Sequence, residues 1–288
     1  MTLFDQLVSL VAKRQAGFIP LRSVVEKELL HHDILREMNQ AGLLARLTFI
    51  GGTCLRMCYN SNRLSEDLDF TGGQAFNKAT LGALGQVLPD MFRAKYGLEA
   101  QVQEPARETG NVDTWRLKIT TQPEDKSFPI QRINVDVCAI PSYDQRPMML
   151  RNHYGVDMGT SGLILRAQSR EEILADKVVA LAFRPNRMKN RDLWDISWLK
   201  QQNVELPMKL IPLKVADHRR APDEFIRLLS ARLKPLPGDQ SARADFIGEM
   251  RRFLPASIVE DTVEKPDFWQ YLTRLVREEC DQVFATIK

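Results

Sequence analysis

The sequence predicts an α/β (α+β) protein, with a mixed α/β N-terminal half and a helical C-terminal half. Three observations lead to this fold class. Apolar residues recur at helical spacing in residues 23–44. Short β-prone runs occur at residues 47–52, 113–120 and 133–140. After Leu206 strand signals stop, and prolines divide the remainder into helical stretches. A chain of 288 residues suits two domains, which we predict at 1–165 and 166–288.

Composition excludes several classes of protein. Hydrophobic residues make up 44% and charged residues 27%, which is typical of globular domains and not of disorder or collagen. No apolar run approaches the roughly 20 residues of a membrane span, so we expect no membrane partner. The N-terminus carries Asp5 and lacks a secretory signal pattern. With only four cysteines in 288 residues, a disulfide scaffold is not expected, and we predict a cytoplasmic protein.

In the N-terminal half, the run from Leu47 to Gly52 predicts a strand that ends at two glycines, and a helix follows it. An extended strand is predicted from about Leu64 to Gly72, then a helix over residues 77–96. In residues 133–140 the apolar side chains alternate, so Asn134, Asp136 and Cys138 face one side of a strand and Ile133, Val135 and Val137 the other.

The C-terminal half begins with a helix that starts at Ser169. Glu172 follows three residues later, which is a capping-box pattern, and the helix is expected to end near Pro185. A second helix is predicted over residues 190–202. We find no internal repeat and no low-complexity tract in the chain.

Asp67 and Asp69 are the first candidates for chemistry. On a strand, residues i and i+2 point to the same face, so two carboxylates would lie close together in an apolar frame. Their repulsion is relieved by a divalent cation such as Mg²⁺, or Mn²⁺, which takes carboxylate oxygens and phosphate oxygens together. The alternative is a solvated strand face.

Gly51, Gly52 and Thr53 lie about 15 residues upstream, between a predicted strand and a predicted helix. Backbone N–H groups at such a turn, with the helix N-terminus, can approach a polyphosphate, and the Thr53 hydroxyl adds a donor. Two glycines can also be simply a tight turn.

Asp136 supplies a third carboxylate from the strand at 133–140. Three carboxylates on neighbouring strands can hold two cations, or one cation with an acid left as base. That is the arrangement used for nucleotidyl transfer.

These motifs resemble a known family. The segment FIGGTCLRMCYNSNRLSEDLDF, the strand INVDV and the segment ILADKVVALAFRPNRMKNRDLWDISWL are similar, in this order, to the motifs of the AbiEii/AbiGii-type nucleotidyltransferase toxin family. The resemblance covers about residues 45–200 and implies a polymerase-β-like nucleotidyltransferase domain with a mixed sheet, followed by a helical C-terminal domain. It leaves residues 1–40 and 206–288 without a role.

The resemblance also implies residue roles. Gly51, Gly52 and Thr53 would hold the triphosphate, and Asp67, Asp69 and Asp136 would bind metal. Asp136 is also a candidate for activating the acceptor hydroxyl. Lys177 would contact nucleotide phosphates and Asp192 would complete the catalytic set.

For some residues the sequence leaves two readings open. Arg63 either meets the triphosphate or orients Asp67, and Ser65 is either a nucleotide contact or a turn residue. Lys177 lies on an apolar helix face, where its ammonium needs an anion, or else extends towards solvent at a domain boundary. Asp192 and Asp195 are either catalytic or pair with Arg187 or Arg191. We favour Asp192 for chemistry and Asp195 for structure.

The formal net charge is only +3, but residues 184–234 hold 12 basic and 6 acidic residues. A local basic surface suits a phosphate-rich partner. With the resemblance, the expected function is a magnesium-dependent nucleotidyltransferase that moves NMP from NTP to an acceptor hydroxyl, with the nucleotide in a cleft between the domains. The acceptor implied is the 3′ end of tRNA or another RNA, the outcome growth arrest, and the further partner a cognate antitoxin.

Two alternatives stay open. The acceptor could be a protein hydroxyl (AMPylation) or a small molecule. The chain could also be a non-catalytic nucleotide-binding regulator, although an intact set of acids argues against that.

Overall fold

The structure is a computed structural model and describes residues 2–105, 111–122, 124 and 128–286. The chain divides into two compact units, Met1–Gln168 and Ser169–Lys288. Whether these units are the independent domains expected at 1–165 and 166–288 stays a prediction.

The first unit contains four α-helices and a seven-stranded sheet among its described residues. The helices are α1 (Leu3–Arg14), α2 (Arg22–Gln40), α3 (Gly51–Tyr59) and α4 (Leu84–Tyr96). Short 3-10 turns precede α2 at Ala16–Leu21 and α4 at Lys78–Leu81. Thr2 and Asp5 form a capping box that starts α1, and the apolar face of α2 is buried through Leu29, Leu30 and Ile34.

The strands are β1 (Thr48–Ile50), β2 (Leu68–Thr71), β3 (Glu99–Gln103), β4 (Val112–Thr120), β5 (Gln131–Cys138), β6 (Gln145–Met149) and β7 (Ile164–Gln168). Their order across the sheet is β3-β4-β5-β2-β1-β7-β6. The pairs β2–β5 and β1–β7 are parallel and the other pairs antiparallel, so the sheet is mixed, as predicted.

The strand expected to begin near Leu64 is much shorter in the structure. Strand β2 starts only at Leu68, and Asp67 stands just ahead of it. The prediction was wrong here because side chains from α2 and α3 bind backbone groups of residues 65–67 that a sheet ladder would otherwise use. Strands β3, β6 and β7 were not predicted.

The second unit is helical throughout its described residues. Its helices are α5 (Arg170–Phe183), α6 (Asn190–Gln201), α7 (Leu210–Asp217), α8 (Pro222–Leu233), α9 (Gln240–Met250), the single turn α10 (Ala256–Ile258) and α11 (Pro266–Thr286), with a π-helical turn at Val259–Val263. The Ser169 hydroxyl accepts the Glu172 N–H and caps α5. None of the described helices is long and apolar enough to cross a membrane.

Candidate functional site

Asp69 and Asp136 lie side by side on the two parallel strands at the middle of the sheet. Asp69 of β2 is the register partner of Asp136 of β5, so their side chains leave the same face of adjacent strands. Both are partly exposed, whereas their neighbours Leu68 and Val135 are fully buried. The structure therefore brings together two of the three predicted carboxylates, at a position open to solvent.

The glycine turn lies directly against this pair. Gly51 has φ +77°, a conformation that glycine adopts without strain, and a Cβ added to it would lie 2.8 Å from Oδ2 of Asp69. The Asp69 carboxylate thus rests on the backbone where β1 ends and α3 begins. The first N–H groups of α3 have no partner within the helix, which is the usual feature of a phosphate-binding helix start.

Thr53 and Ser65 are buried behind the turn. The Thr53 hydroxyl is 2.6 Å from Oγ of Ser65 and donates to the Asp67 carbonyl, and Thr53 has no exposed surface. The Ser65 N–H donates to Oε1 of Glu28 at 2.8 Å. Both hydroxyls therefore connect α3 to the segment that leads into β2. The groups of this turn that can bind a phosphate are its backbone N–H groups.

Arg63 packs against the second glycine. A Cβ on Gly52 would lie 2.3 Å from Nη2 of Arg63, so only glycine accommodates the guanidinium in this position. Arg63 is buried, and its Nη1 donates to the Leu64 carbonyl at 2.8 Å. Its guanidinium is thereby fixed beside the N-terminus of α3.

Asp67 is oriented differently from Asp69. Its Oδ1 accepts the N–H of Asn134 at 3.1 Å, in the place where a backbone carbonyl would continue the β2–β5 ladder. Asp67 is therefore bound two residues before Asp136 along β5. It lies just outside β2, which begins at Leu68, so the strand predicted to carry both Asp67 and Asp69 begins in the structure one residue too late to include Asp67.

The donors at this site fit a hard divalent cation in their chemistry. Asp67, Asp69 and Asp136 provide oxygen ligands only, the type that Mg²⁺ and Mn²⁺ prefer. One N–H bond to Asp67 leaves lone pairs of the carboxylate available. Within the described part of the chain, however, no three His, Cys, Asp or Glu side chains are arranged as a ready-made metal-binding group.

Lys177 and Asp192 lie in the second unit, where they bind each other. The Lys177 ammonium donates to Asp192 at 2.7 Å and lies 2.8 Å from Asp195, and Nε of Arg184 donates to the other oxygen of Asp192 at 2.8 Å. Burial by itself would raise the pKa of Asp192, but Lys177 and Arg184 outweigh it and hold that pKa below its ordinary value.

For Asp192, this arrangement corrects the pairing with Arg187 or Arg191 considered from the sequence. Arg187 pairs with Asp245 at 3.0 Å and Arg191 with Glu249 at 3.2 Å, so neither is the cation found on Asp192. The anion expected for Lys177 is present on α6, shared between Asp192 and Asp195. The two acids are equally buried, and the geometry does not separate a catalytic from a structural one.

The basic stretch at 184–234 is only partly a surface feature. Five of its basic side chains are buried or half-buried and bind acids or backbone carbonyls within the unit: Arg184, Arg191, Lys200, Lys214 and Arg232. Seven are exposed: Arg187, Lys189, Lys209, Arg219, Arg220, Arg227 and Lys234. Two of the exposed ones, Arg187 and Arg220, also pair with acids.

Sequence reasoning missed a buried network that supports the site from α2. Glu28 is 2% exposed, and Nε of Arg56 donates to its Oε2 at 3.1 Å. The Tyr154 hydroxyl donates to the same oxygen. Burial and the Glu28 carboxylate raise the pKa of Tyr154. Arg56 also binds the Ser61 carbonyl at 2.9 Å. Glu28 lies four residues after Val24 and seven before Leu35, so an acid at helical spacing with apolar residues was the signal that could have revealed this network.

Comparison with known proteins identifies the family. The sequence model for the nucleotidyl transferase AbiEii toxin of type IV toxin–antitoxin systems matches residues 33–274. The chain belongs to the AbiEii nucleotidyltransferase toxin family. It is a nucleotidyltransferase, and its family is one of toxins of type IV toxin–antitoxin systems.

Solved structures agree with the AbiEii fold. MenT4 (Rv2826c), a nucleotidyltransferase toxin from Mycobacterium tuberculosis H37Rv, has a TM-score of 0.53 and 16% identity, with 98% of this chain and 94% of that chain covered. A nucleotidyltransferase from H. pylori has a TM-score of 0.50 and 19% identity, with 89% and 98% covered. At these identities the likeness shows the fold. No curated protein is similar enough to be counted as a match.

Proposed function

We propose that this AbiEii-family enzyme transfers NMP from NTP to the 3′ hydroxyl of an RNA, with tRNA as the leading candidate and Mg²⁺ or Mn²⁺ as cofactor. The observation that carries the proposal is the register pairing of Asp69 with Asp136 beside Gly51. Two carboxylates that suit a divalent cation thus lie next to a helix N-terminus that suits a phosphate group. The proposal places the reaction in the cytoplasm, where NTP and RNA are found.

In the reaction, the acceptor oxygen forms a bond to the α-phosphorus and the bond from the α-phosphorus to the leaving pyrophosphate breaks. The hydroxyl proton goes to a carboxylate, for which Asp136 is our candidate. The backbone N–H groups at Gly51 and Gly52 hold the triphosphate, and the buried Arg63 adds positive charge next to them.

Asp67, Asp69 and Asp136 are the residues that would hold the divalent cation. When bound, it supplies charge compensation for the phosphates and the entering oxygen. The sheet backbone positions these carboxylates. Asp69 and Asp136 are register partners on adjacent strands, and Asp67 accepts a hydrogen bond from the backbone of Asn134.

An RNA acceptor is supported by the seven exposed basic side chains of residues 184–234. They suit contacts with the sugar-phosphate backbone, which would make binding depend on salt. An antitoxin partner is implied by the type IV family. Lys177 as a contact for nucleotide phosphates and Asp192 as a catalytic acid stay proposals, since both side chains are engaged within the second unit.

The experiment is incubation of the protein with each α-³²P-labelled NTP, MgCl₂ and total RNA, followed by separation of RNA, protein and small molecules. The wild type is expected to label RNA at its 3′ ends. D69N should reduce transfer by about 100-fold or more, because several kcal/mol of transition-state stabilisation is lost.

The matched control is D90N, the same change at an acid of α4 whose side chain is 59% exposed and paired with Arg93. It should transfer like the wild type. Equal transfer by D69N and wild type would refute the assigned site, and label on protein or a small molecule would replace RNA with one of the alternative acceptors.

A further inference from the structure

Helix α2 holds the segment that leads into Asp67. Three of its side chains contact two successive residues of that segment. Lys27 Nζ is 2.9 Å from Oε1 of Glu66, Oε1 of Glu28 accepts the Ser65 N–H at 2.8 Å, and Nε2 of His31 is 3.0 Å from the Glu66 carbonyl. Lys27 and His31 are one helical turn apart, so one face of α2 makes these contacts. All three precede residue 33, where the family match begins.

His31 can only donate in this contact. A carbonyl oxygen accepts hydrogen bonds and does not donate them, so Nε2 of His31 carries the hydrogen. The side chain is completely buried, and burial lowers its pKa, which keeps the ring neutral. A neutral ring that donates through Nε2 has its Nδ1 as acceptor, and this buried Nδ1 has no hydrogen-bond partner among the described residues. Within that part of the chain, the hydrogen bond of the His31 ring is therefore the one to Glu66.

These contacts determine where β2 begins. Side chains hold the Ser65 N–H, the Glu66 carbonyl and the Asp67 carbonyl, through Glu28, His31 and Thr53. The segment is thereby kept out of the sheet ladder until Leu68. Asp67 is the last residue of this segment, and its carboxylate accepts the backbone N–H of Asn134.

We propose that His31 is a positioning residue for Asp67, acting through the Glu66 carbonyl to fix the backbone from which the Asp67 carboxylate reaches the Asn134 N–H. The inference rests on the proposed function, because it takes Asp67 as a ligand of the divalent cation. Replacement of a residue that orients a metal ligand without binding the metal itself typically changes metal affinity by 10–100-fold.

The test measures Mn²⁺ binding to the full chain, without nucleotide, from the EPR signal of free Mn²⁺. His31→Leu keeps the volume of the side chain and removes the donor, and it should weaken Mn²⁺ binding by about tenfold. His31→Gln places an amide N–H near the position of Nε2 and should restore binding to within about twofold of wild type. His31→Asn, whose amide is too short to reach, serves as the second loss variant if His31→Leu does not unfold cooperatively.

His32 provides the matched control. It is the next residue of α2 and is also buried, but its Nδ1 contacts the Thr160 hydroxyl at 2.8 Å and not the segment before Asp67. His32→Leu should change the melting temperature and leave Mn²⁺ affinity at the wild-type value. A purely structural role for His31 would move the melting temperature in both variants and the Mn²⁺ affinity in neither.

Asp67→Asn separates failure of this inference from failure of the proposed function. If Asp67→Asn weakens Mn²⁺ binding while both loss variants of His31 bind like the wild type, the positioning role is overturned and the metal site stands. If wild type and Asp67→Asn bind Mn²⁺ equally, or neither binds it, the metal role of Asp67 fails and the inference fails with it.

Discussion

The carboxylate of Asp69 lies against the Cα of Gly51, so close that any Cβ there would come within 2.8 Å of Oδ2. We therefore expect Gly51→Ala to displace Asp69 and to reduce transfer strongly, by about tenfold or more, since a small misplacement of reacting groups is costly. The measurement is the rate of NMP transfer normalised to the folded fraction.

Gly42 is the control for Gly51→Ala. Its φ of +72° imposes the same backbone strain, roughly 1–2 kcal/mol for a residue with a Cβ, but no atom of the described residues lies within 4 Å of the added carbon. Gly42→Ala should lose stability and keep its rate. A similar rate in both variants would mean that strain, and not contact with Asp69, governs the effect.

The second prediction concerns the buried pair of Glu28 and Arg56. Glu28→Gln leaves the Arg56 guanidinium, also buried, without its counter-charge, and should lower the free energy of unfolding by about 3–5 kcal/mol. Urea unfolding measures this. Glu278→Gln removes an exposed acid that faces Arg274 and should cost less than about 1 kcal/mol. Equal losses in the two variants would contradict a structural role for the Glu28 network.

The third prediction is a pH dependence that arises from His32. Burial, and then the neighbouring His31, lower the pKa of His32 to about 3, whereas the unfolded value is about 6.5. Between these values the unfolded chain binds a proton that the folded chain does not. The free energy of unfolding should therefore fall as pH decreases below 6.5, by up to about 1.4 kcal/mol per pH unit.

The comparison for His32 is urea unfolding of wild type and His32→Asn at pH 7, 6 and 5. Asparagine cannot titrate, so the variant should lose less stability over this range than the wild type. Parallel curves would show that His32 does not contribute to the pH dependence.

The fourth prediction is the cost of removing Lys177. Lys177→Met would leave Asp195 and part of Asp192 buried without the ammonium they share, and should destabilise the chain by about 3–5 kcal/mol. Lys209→Met, at an exposed lysine, should stay within about 0.5 kcal/mol of wild type. A loss below about 1 kcal/mol in Lys177→Met would indicate that the ammonium is not needed inside the unit.

The fifth prediction tests the exposed basic residues with RNA. Replacing Arg227 and Lys234 by Gln should weaken RNA binding and reduce the slope of log K against log salt by about one for each phosphate that the variant no longer binds. Arg274 and Arg277 on α11 are exposed but paired with acids, so the double Gln variant there should retain the slope. An unchanged slope in the first variant would exclude those two residues from the RNA-binding surface.

The central acids and the glycine turn could be predicted because their chemistry is local. Asp69, Asp136 and Gly51 each belong to a short pattern whose residue types imply charge, alternation or a turn. The start of β2 could not be predicted in this way, because it depends on Glu28 and His31, which are 37 and 35 residues from their partners.

The remaining strands gave weaker signals for physical reasons. Strand β6 is an edge strand that contains Pro147 and exposed side chains, so it has no alternation to detect.

The pairing of Lys177 with Asp192 joins residues 15 apart on different helices, and sequence spacing alone offered Arg187 and Arg191 as equally reasonable cations.

The parallel pairing of β2 with β5 joins residues 67 positions apart, as the bond from Asn134 to Asp67 shows. Contacts this distant in sequence form late, because a long loop must close first. During synthesis the ribosome must therefore complete β5 before the acids can meet. A growing or truncated chain that ends before this strand lacks the paired carboxylates, and with them this part of the candidate site.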